Sequence, residues 1–325
     1  MIDAQALLQP ITTDQLCGED VEYTLLPAFD SYRVFGQATT PDPQPDWSEI
    51  HTRAVDGLSK SKDLRLLAHL ATAALRIDGI TDFASALNVA SEWLEAHWSH
   101  VYPLVDGDAL ERRNALNCFA DPIAVIEAIR RVPLVRSRQH GTITLRDIDL
   151  ATGQMQPVDG ESRAEEAQID AAFAEMPLEE LTTLQAGVTG ALTALTRIEA
   201  TMATQGGPEA KPYFERLSAQ LAKADRVLRA QLATRQPAGD GTDAAELDGG
   251  GGVRAVGRIR SREDAIRALD AVAEFFRRNE PSSPVPMFIE RAKRLVSKSF
   301  LEVLADIAPD GLAQARVIGG VSDSE

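Results

Sequence analysis

The sequence predicts an all-α, multi-domain protein with a helical bundle as its N-terminal domain, a middle helical hairpin and a small C-terminal helical hairpin. Apolar residues recur at helical spacing along most of the chain. Aromatic residues make up only 5% of the sequence, which favours aliphatic packing between helices over a β-sandwich core. A length of 325 residues exceeds what one ordinary helical domain needs, so two or three folded units are expected.

The N-terminal helical domain is expected to span residues 1–155. Asp46 and Asp63 each precede an amphipathic run, and an aspartate there accepts hydrogen bonds from the free N–H groups of a first helical turn. Gly79 is expected to end the second of these runs. A later run is expected to kink or break at Asp121-Pro122, because proline removes a helical hydrogen bond.

One stretch of this domain, from Leu134 to Leu145, looks less helical than the rest. Gly141 comes before three residues, Thr142-Ile143-Thr144, of which every one is β-branched. A turn-forming glycine next to β-branched residues is typical of a β-hairpin. The sequence therefore predicts a short hairpin at this point of a helical chain.

The middle domain is expected to span residues 161–235 and to consist of a helical hairpin. Leucines and valines follow one helix face from Leu178 to Ile198, and a second apolar stripe runs from Phe214 to Leu232. Gln205-Gly206-Gly207-Pro208 lies between them and predicts a turn. Two long helices joined by a short turn pack antiparallel, and residues 161–176 are expected to add a third helix.

A linker is expected at residues 236–253. It contains four acidic residues, no basic residue before Gly252, and four consecutive glycines. Such a segment has too little apolar surface to offset the entropy of ordering, so we expect it to be flexible. The basic residues that follow, Arg254, Arg258, Arg260 and Arg262, are more typical of a contact with a protein than of nucleic-acid binding, since no aromatic residue lies among them.

The C-terminal domain is expected to span residues 254–325 and to form two helices around a proline-rich turn at residues 277–286. Ser283-Pro284 is a helix-start signal. A unit of this size buries little apolar area alone, so we expect it to form an oligomer of closed symmetry. The residues expected to contact other subunits or partners are Phe275, Phe276, Arg278, Glu280, Pro281, Ser283 and Pro284.

Charge and hydropathy exclude several classes of function. The chain carries 33 basic and 49 acidic residues, a net charge of −16, so it repels nucleic acid and anionic lipid overall. No apolar run reaches the roughly 20 residues that span a membrane, and the N-terminus lacks the pattern of a signal peptide. We therefore expect a cytoplasmic protein without nucleic-acid binding or membrane insertion.

The sequence offers no pattern that predicts an active site. His97 and His100 are three residues apart, but a zinc site needs three or four ligands and no further ligand has a familiar spacing. Cys17 and Cys118 form no C-x-x-C pair and are expected to be free thiols. Neither a phosphate-binding loop nor a G-x-S-x-G elbow is present. We expect no catalytic, cofactor-binding or metal site, and no cofactor.

Ordered motifs at both ends of the chain resemble one known family. Around the N-terminal domain these are Cys17-Gly18-Glu19-Asp20, Asp46-Trp47, Ser61-Lys62-Asp63-Leu64-Arg65, Gly79, Trp98, Tyr102-Pro103 and Arg112-Arg113-Asn114-Ala115-Leu116. Near the C-terminus they are Phe275-Phe276-Arg277-Arg278 and Glu280-Pro281-Ser282-Ser283-Pro284-Val285-Pro286. Together they are similar to the TssA proteins of bacterial type VI secretion, whose N-terminal domain is of the ImpA type.

The resemblance implies a scaffold without catalytic activity. Members of the family form ring-like homo-oligomers through the C-terminal region and contact baseplate, inner-tube and sheath proteins. The absence of a large extra domain after the linker resembles the short form, whose role is at the baseplate end. Two alternatives stay open from the residues alone: a helical adaptor outside secretion, and a hydrolase-type enzyme whose cryptic site combines carboxylates with His97.

Overall fold

The computed structural model describes residues 2–157, 164–235, 262–279 and 284–295, in two compact units, residues 1–240 and 241–325. The described elements of the first unit are α1 (Ala4–Leu8), α2 (Leu26–Asp30), α3 (Trp47–Leu58), α4 (Leu64–Ile77), α5 (Ile80–Ala96), α6 (Leu110–Asn117), α7 (Glu127–Arg131), β1 (Pro133–Ser137), β2 (Gly141–Thr144), α8 (Leu145–Ala151), α9 (Glu166–Glu175), α10 (Leu178–Gly206) and α11 (Glu215–Arg235). Those of the second are α12 (Arg262–Asn279) and α13 (Val285–Leu295).

The sequence predicted an all-α fold. The chain is mainly helical, but the described residues also include a small two-stranded sheet. β1 and β2 pair antiparallel, with Ser137 opposite Gly141, so the predicted hairpin is confirmed. The hairpin leads directly into a helix, because the Thr144 side chain accepts a hydrogen bond from the N–H of Asp147 and the Asp147 carboxylate accepts one from the N–H of Thr144. This reciprocal capping box fixes the point where β structure ends and α8 begins.

The helix starts predicted at Asp46 and Asp63 are confirmed, and Asp121 caps a helical turn in the same way. Asp46, Asp63 and Asp121 each accept hydrogen bonds from backbone N–H groups two or three residues later, at 2.7–3.1 Å. Asp121 precedes a turn of π-helix, so the run that contains it is broken there as expected. Gly79, with φ near +100°, separates α4 from α5 in a conformation that only glycine adopts readily.

The core of the first unit is built around α4, which packs between α3 and α5. Its leucines and alanines are buried on almost every side. The long helix α10 lies along α5, and it packs antiparallel to α11, so that Met176 before α10 meets Arg235 at the end of α11. The predicted pair of long helices is present, and the division between domains near residue 155 stays a prediction.

The described part of the second unit is a hairpin of two helices, α12 and α13, called the C-terminal hairpin below. Ala273 and Ile289 are its buried apolar residues among those described. Arg277 bonds to Glu290 across the hairpin at 2.8 Å, and Lys293 bonds to Asp270. The predicted linker at residues 236–253 and the basic residues at 254, 258 and 260 lie outside the described residues.

Candidate assembly surface

The C-terminal hairpin exposes large apolar side chains. Val272 and Phe275 on α12 are 44% and 45% exposed, and Met287 and Phe288 on α13 are 66% and 60% exposed. Phe275 meets Phe276 edge to face, with ring centroids 5.5 Å apart. Several large apolar side chains in contact with water on one short hairpin make it a candidate interaction surface.

Ion pairs connect the two helices of the hairpin. Glu290 accepts hydrogen bonds from Arg277 and from Lys293, and these cations lower the pKa of its carboxyl. The same Lys293 amine bonds to Asp270 on the other helix, and this carboxylate raises the pKa of the amine. The ion pairs are exposed, so they select the pairing of the helices more than they stabilise it.

The structure places part of the predicted contact set on this hairpin. The predicted residues within the described ranges are Phe275, Phe276, Arg278 and Pro284. Those outside the described residues are Glu280, Pro281 and Ser283. Arg278 is an exposed residue paired with Glu274 at 2.9 Å, and the carbonyl of Pro284 accepts a hydrogen bond in the first turn of α13. The contact role of all seven residues stays a prediction.

The helical periodicity missed two of the most exposed apolar residues. Met287 and Phe288 precede Ile289, which is buried and faces the inside of the hairpin. One sequence signal could have identified Met287 and Phe288. They are large apolar residues that directly follow a proline-rich turn and lie off the buried stripe of the second helix. They extend the candidate surface onto α13.

The motif residues of the first unit have a different role, since they hold chain segments together inside it. Lys62 is fully buried, and its Nζ donates hydrogen bonds to the carbonyl oxygens of Leu7 at 2.5 Å and Gln9 at 2.7 Å. The amine also lies 5.0 Å from the ring centroid of Trp93. Burial lowers the pKa of Lys62, and the nearby Cys17 partly opposes this. The lysine ties the N-terminal segment to α5.

Arg112 holds the loop after α5 in the same way. Its guanidinium is buried and donates to the carbonyl oxygens of Trp98, Val101 and Pro103 at 2.7–3.1 Å. The group also stacks 4.5 Å from the ring centroid of Trp98. Burial lowers the pKa of Arg112 to about 10. A single side chain thus pairs three carbonyl groups that no helix or strand of the loop satisfies.

The Asp46-Trp47 motif also combines a tryptophan ring with a cation. Trp47, the residue after the Asp46 cap, packs under the guanidinium of Arg76 at 4.3 Å from the ring centroid. Arg76 in turn donates to the carbonyl oxygen of Ala124 at 3.1 Å. These contacts join α3, α4 and the turn after Asp121. Lys62, Arg112 and Trp47, three motif residues of the first unit, therefore contribute to its packing.

Groups that often mark chemistry are dispersed in the part of the chain that the structure describes. No three His, Cys, Asp or Glu residues within it lie close enough to hold a metal ion. Cys17 is buried and Cys118 is partly buried, and both are free thiols. Among the same residues, no helix is long and apolar enough to cross a membrane.

The fold defines a mainly helical, multi-domain protein, and comparison with known proteins identifies its family. A family model described as "ImpA, N-terminal, type VI secretion system" matches residues 8–121. The chain is 32% identical over 346 residues to the type VI secretion system component TssA1 of Pseudomonas aeruginosa, covering 98% of this chain and 99% of that protein. The chain belongs to the TssA family of type VI secretion system components.

A solved structure also shares the fold. It is the N-terminal domain, including the conserved ImpA_N region, of the TssA component of the type VI secretion system from Burkholderia cenocepacia. The TM-score is 0.57 at 21% sequence identity, with 73% of this chain and 96% of that chain covered. The family resemblance read from the motifs is confirmed, and the family is one of structural components.

Proposed function

We propose that this protein is an assembly scaffold of the type VI secretion system that primes or organises the building of the sheath and tube. In this proposal the C-terminal region forms a ring-like homo-oligomer, while the chain contacts baseplate, inner-tube and sheath proteins. Membership in the TssA family supports a role inside secretion over the alternative of an adaptor elsewhere. The same membership, in a family of structural components, favours a scaffold over a hydrolase.

The observation that carries the proposal is the exposed apolar surface of the C-terminal hairpin. Burying a Phe or Met side chain fully contributes about 1.5 to 3 kcal/mol, so Phe275, Met287 and Phe288 represent a large unused driving force. A second copy of the same chain offers the same surface, and symmetric contacts between copies close into a ring or a dimer. Self-association is therefore the occupant that we propose for this surface.

A ring also explains how weak contacts between the rest of the chain and a partner suffice for binding. When several first units are carried by one oligomer, each further contact to a repetitive partner becomes intramolecular, and the overall affinity rises by orders of magnitude. Sheath and baseplate are themselves multi-copy structures in this proposal. The acidic net charge of −16 favours partners with basic surfaces.

Mass measurement of the full-length chain tests the oligomer. We expect a closed oligomer for the wild type and dissociation for Phe288→Asp, because the carboxylate would be buried without a partner in the contact. Tyr23→Asp is the matched control, since Tyr23 is an aromatic residue of the first unit that is 86% exposed. A wild-type monomer at micromolar concentration, or equal dissociation in both variants, would contradict the proposal.

A deletion strain tests the role in secretion. Without this protein we expect no contractile sheath to assemble, while the levels of tube and sheath proteins stay normal. Wild type should restore assembly, Phe288→Asp should restore little, and a chain whose residues 254–325 are replaced by a foreign ring-forming domain should restore part of it. Full rescue by a chain that simply lacks residues 254–325 would require a different role.

A further inference from the structure

The first unit contains a concave pocket at the C-terminal end of α6. The pocket has a volume of about 390 Å³ and is lined by the loop at Phe35, by Asn117 at the end of α6, by the Asp121-Pro122 turn and by the start of α11. We call it the α6 pocket. Its volume is within the range of roughly 300 to 1,000 Å³ that is typical of ligand pockets in proteins.

Two side chains that line the α6 pocket hold other segments of its lining in place. The Asp121 carboxylate accepts a hydrogen bond from the N–H of Gly36 at 2.8 Å, and the side-chain oxygen of Asn117 accepts one from the N–H of Tyr213 at 2.9 Å. These bonds join segments that are 85 and 96 residues apart in the sequence. The pocket is therefore formed before a ligand binds, so that binding does not have to order a loop.

Aromatic rings supply much of the apolar surface of the α6 pocket. Phe35 is half-buried and Tyr213 is 62% exposed, and both line the pocket together with Ala120 and Pro122. The guanidinium of Arg113 lies 5.5 Å from the ring centroid of Tyr213, and this cation–π contact favours one position of an otherwise exposed ring. Aromatic rings in a concave pocket favour a ligand that itself carries an aromatic ring.

Two polar side chains of the α6 pocket have no partner of their own. The side-chain amide of Asn114 and the guanidinium of Arg216 line the pocket, and neither forms a hydrogen bond or an ion pair with a described residue. The Asp121 carboxylate in the lining already accepts three backbone N–H groups. Glu215, the neighbour of Arg216 in the chain, is exposed and does not belong to the lining. The pocket therefore offers unpaired hydrogen-bond donors to a ligand.

Helix stability accounts for neither of these two residues. Arg216 lies in the first turn of α11, where the helix dipole disfavours a cation. Asn114 lies inside α6, where asparagine is a weaker helix former than alanine. Within the motif at residues 112–116, both arginines bind carbonyl groups and the last two residues are buried, whereas the Asn114 side chain has no bonding partner in the described structure.

We propose that the α6 pocket binds a segment of a partner protein in which an aromatic residue is followed by an aspartate or a glutamate. The ring of this segment packs against Phe35 and Tyr213, its carboxylate pairs with Arg216, and its backbone bonds to the amide of Asn114. The net charge of −16 opposes a long acidic run, so a segment with one carboxylate fits better. The inference deepens the proposed scaffold role by giving the chemistry of one partner contact, and it rests on that role only for the partner being a secretion component.

A synthetic peptide tests the charge requirement with the full-length chain. The probe is the hexapeptide Gly-Ser-Phe-Asp-Ser-Gly with blocked termini, and its binding is followed by NMR titration at low and at high salt. We expect saturable binding that weakens with salt and falls about fivefold in Arg216→Gln, since an exposed ion pair contributes little individually. Arg226→Gln, at an exposed arginine of the same helix outside the pocket lining, is the matched control and should bind like wild type.

Changes in the peptide test which group meets which residue. Glycine in place of the phenylalanine should abolish measurable binding, because the ring supplies most of the apolar area that becomes buried. Asparagine in place of the aspartate should weaken binding as much as Arg216→Gln does, with no further loss when both changes are combined. Asn114→Ala should weaken binding about fivefold at either salt concentration, since a neutral hydrogen bond is not screened. The amide signals of Gly36 and Tyr213 should shift when the peptide binds.

Several results would overturn the inference. These are absence of binding to wild type, a peptide with lysine in place of the aspartate that binds equally well, and equal binding by Arg216→Gln and Arg226→Gln. Phe288→Asp separates this inference from the oligomer, because a monomer that still binds the peptide supports the pocket alone. In the deletion strain, Asn114→Ala/Arg216→Gln should form an oligomer of wild-type mass but assemble no sheath. Normal sheath assembly with this variant would overturn the assignment of the pocket to a secretion partner.

Discussion

The buried cations of the first unit and the exposed cations of the C-terminal hairpin bind different partners. In the first unit Lys62 and Arg112 are buried, and each donates to backbone carbonyl oxygens while it packs on a tryptophan ring. In the C-terminal hairpin Arg277 and Arg278 stay exposed and pair with carboxylates. Motif residues of the first unit therefore fix the path of the chain, whereas those of the hairpin leave apolar rings on the surface.

This difference predicts where substitutions cost stability. A buried cation loses hydration on folding, which is why burial lowers the pKa of Lys62 and of Arg112, and the carbonyl groups that it binds lose hydration too. Removing the cation leaves those carbonyls unpaired, and each costs about 1 to 3 kcal/mol. An exposed ion pair has water as an alternative partner, so its removal changes little.

Substitution of Arg112 should have the largest effect on the free energy of unfolding. Arg112→Ala leaves the carbonyl groups of Trp98, Val101 and Pro103 without their donor, so we expect a loss of about 4 kcal/mol in chemical denaturation. Arg112→Lys should recover less than half, since an ammonium group cannot reproduce the fork of donors.

The adjacent arginine provides the control for this prediction. Arg113 binds one carbonyl, that of Glu209, at 2.8 Å and lies over the ring of Tyr213. We expect Arg113→Ala to cost about 1 kcal/mol. Equal losses of unfolding free energy at the two positions would show that burial of the cation does not determine how much stability is lost. The comparison between the two units would then fail.

Acid should destabilise the first unit through His69, the next largest effect. This ring is buried between Phe29 and Phe35, with centroids 4.8 and 4.7 Å away, and burial lowers its pKa from 6.5 to about 4. The folded state then binds fewer protons than the unfolded state, so stability is complete above pH 6.5 and is lost as the pH falls towards 4. The expected loss between pH 7 and pH 4 is about 3 kcal/mol.

A variant without the imidazole isolates this contribution from that of the carboxylates. His69→Leu should remove about 3 kcal/mol from the difference in unfolding free energy between pH 7 and pH 4. His100→Leu, at an exposed histidine, should keep the wild-type difference. If His69→Leu has the same pH dependence as wild type, the buried ring is not what makes this unit sensitive to acid.

The loop motif at Gly18 should show a smaller but selective effect. Gly18 has φ near +75° and pairs with Ser61, and a Cβ there would overlap the carbonyl oxygen of Lys60. Gly36 has nearly the same φ with open space around it. Gly18→Ala should therefore cost about 2 kcal/mol more than Gly36→Ala, because only the first adds a clash to the backbone strain. Equal thermal unfolding of the two variants would contradict this.

Local signals predicted the helix starts and the hairpin, but not the buried cations. Asp46 and Asp63 cap helices through neighbours two or three residues away, so their role can be read from the sequence. Lys62 and Arg112 were recognised only as parts of a family motif. Their carbonyl partners include Leu7, 55 residues away from Lys62, and lysine and arginine are rarely buried, so no local pattern points to them.

Surface features also differ in whether the sequence alone can predict them. Phe275 was among the predicted contact residues, because a unit of this size buries little apolar area alone, and its side chain is 45% exposed. The cleft between β1 and the start of α10 was not predicted, because these two elements are some 40 residues apart in the sequence and only the fold brings them side by side. A surface formed by one helix can be read from periodicity, and a cleft between distant elements needs the fold.

The smallest effect on stability is expected at Arg278, and this makes it a sensitive probe of assembly. Its guanidinium pairs with Glu274 one turn earlier and is 69% exposed, so Arg278→Ala should change the free energy of unfolding by no more than about 0.5 kcal/mol. A loss of oligomer mass in this variant, with unfolding unchanged, would show that Arg278 contacts another subunit. If both stay as in wild type, the hairpin associates through its apolar rings alone, and Phe288→Asp should still dissociate it.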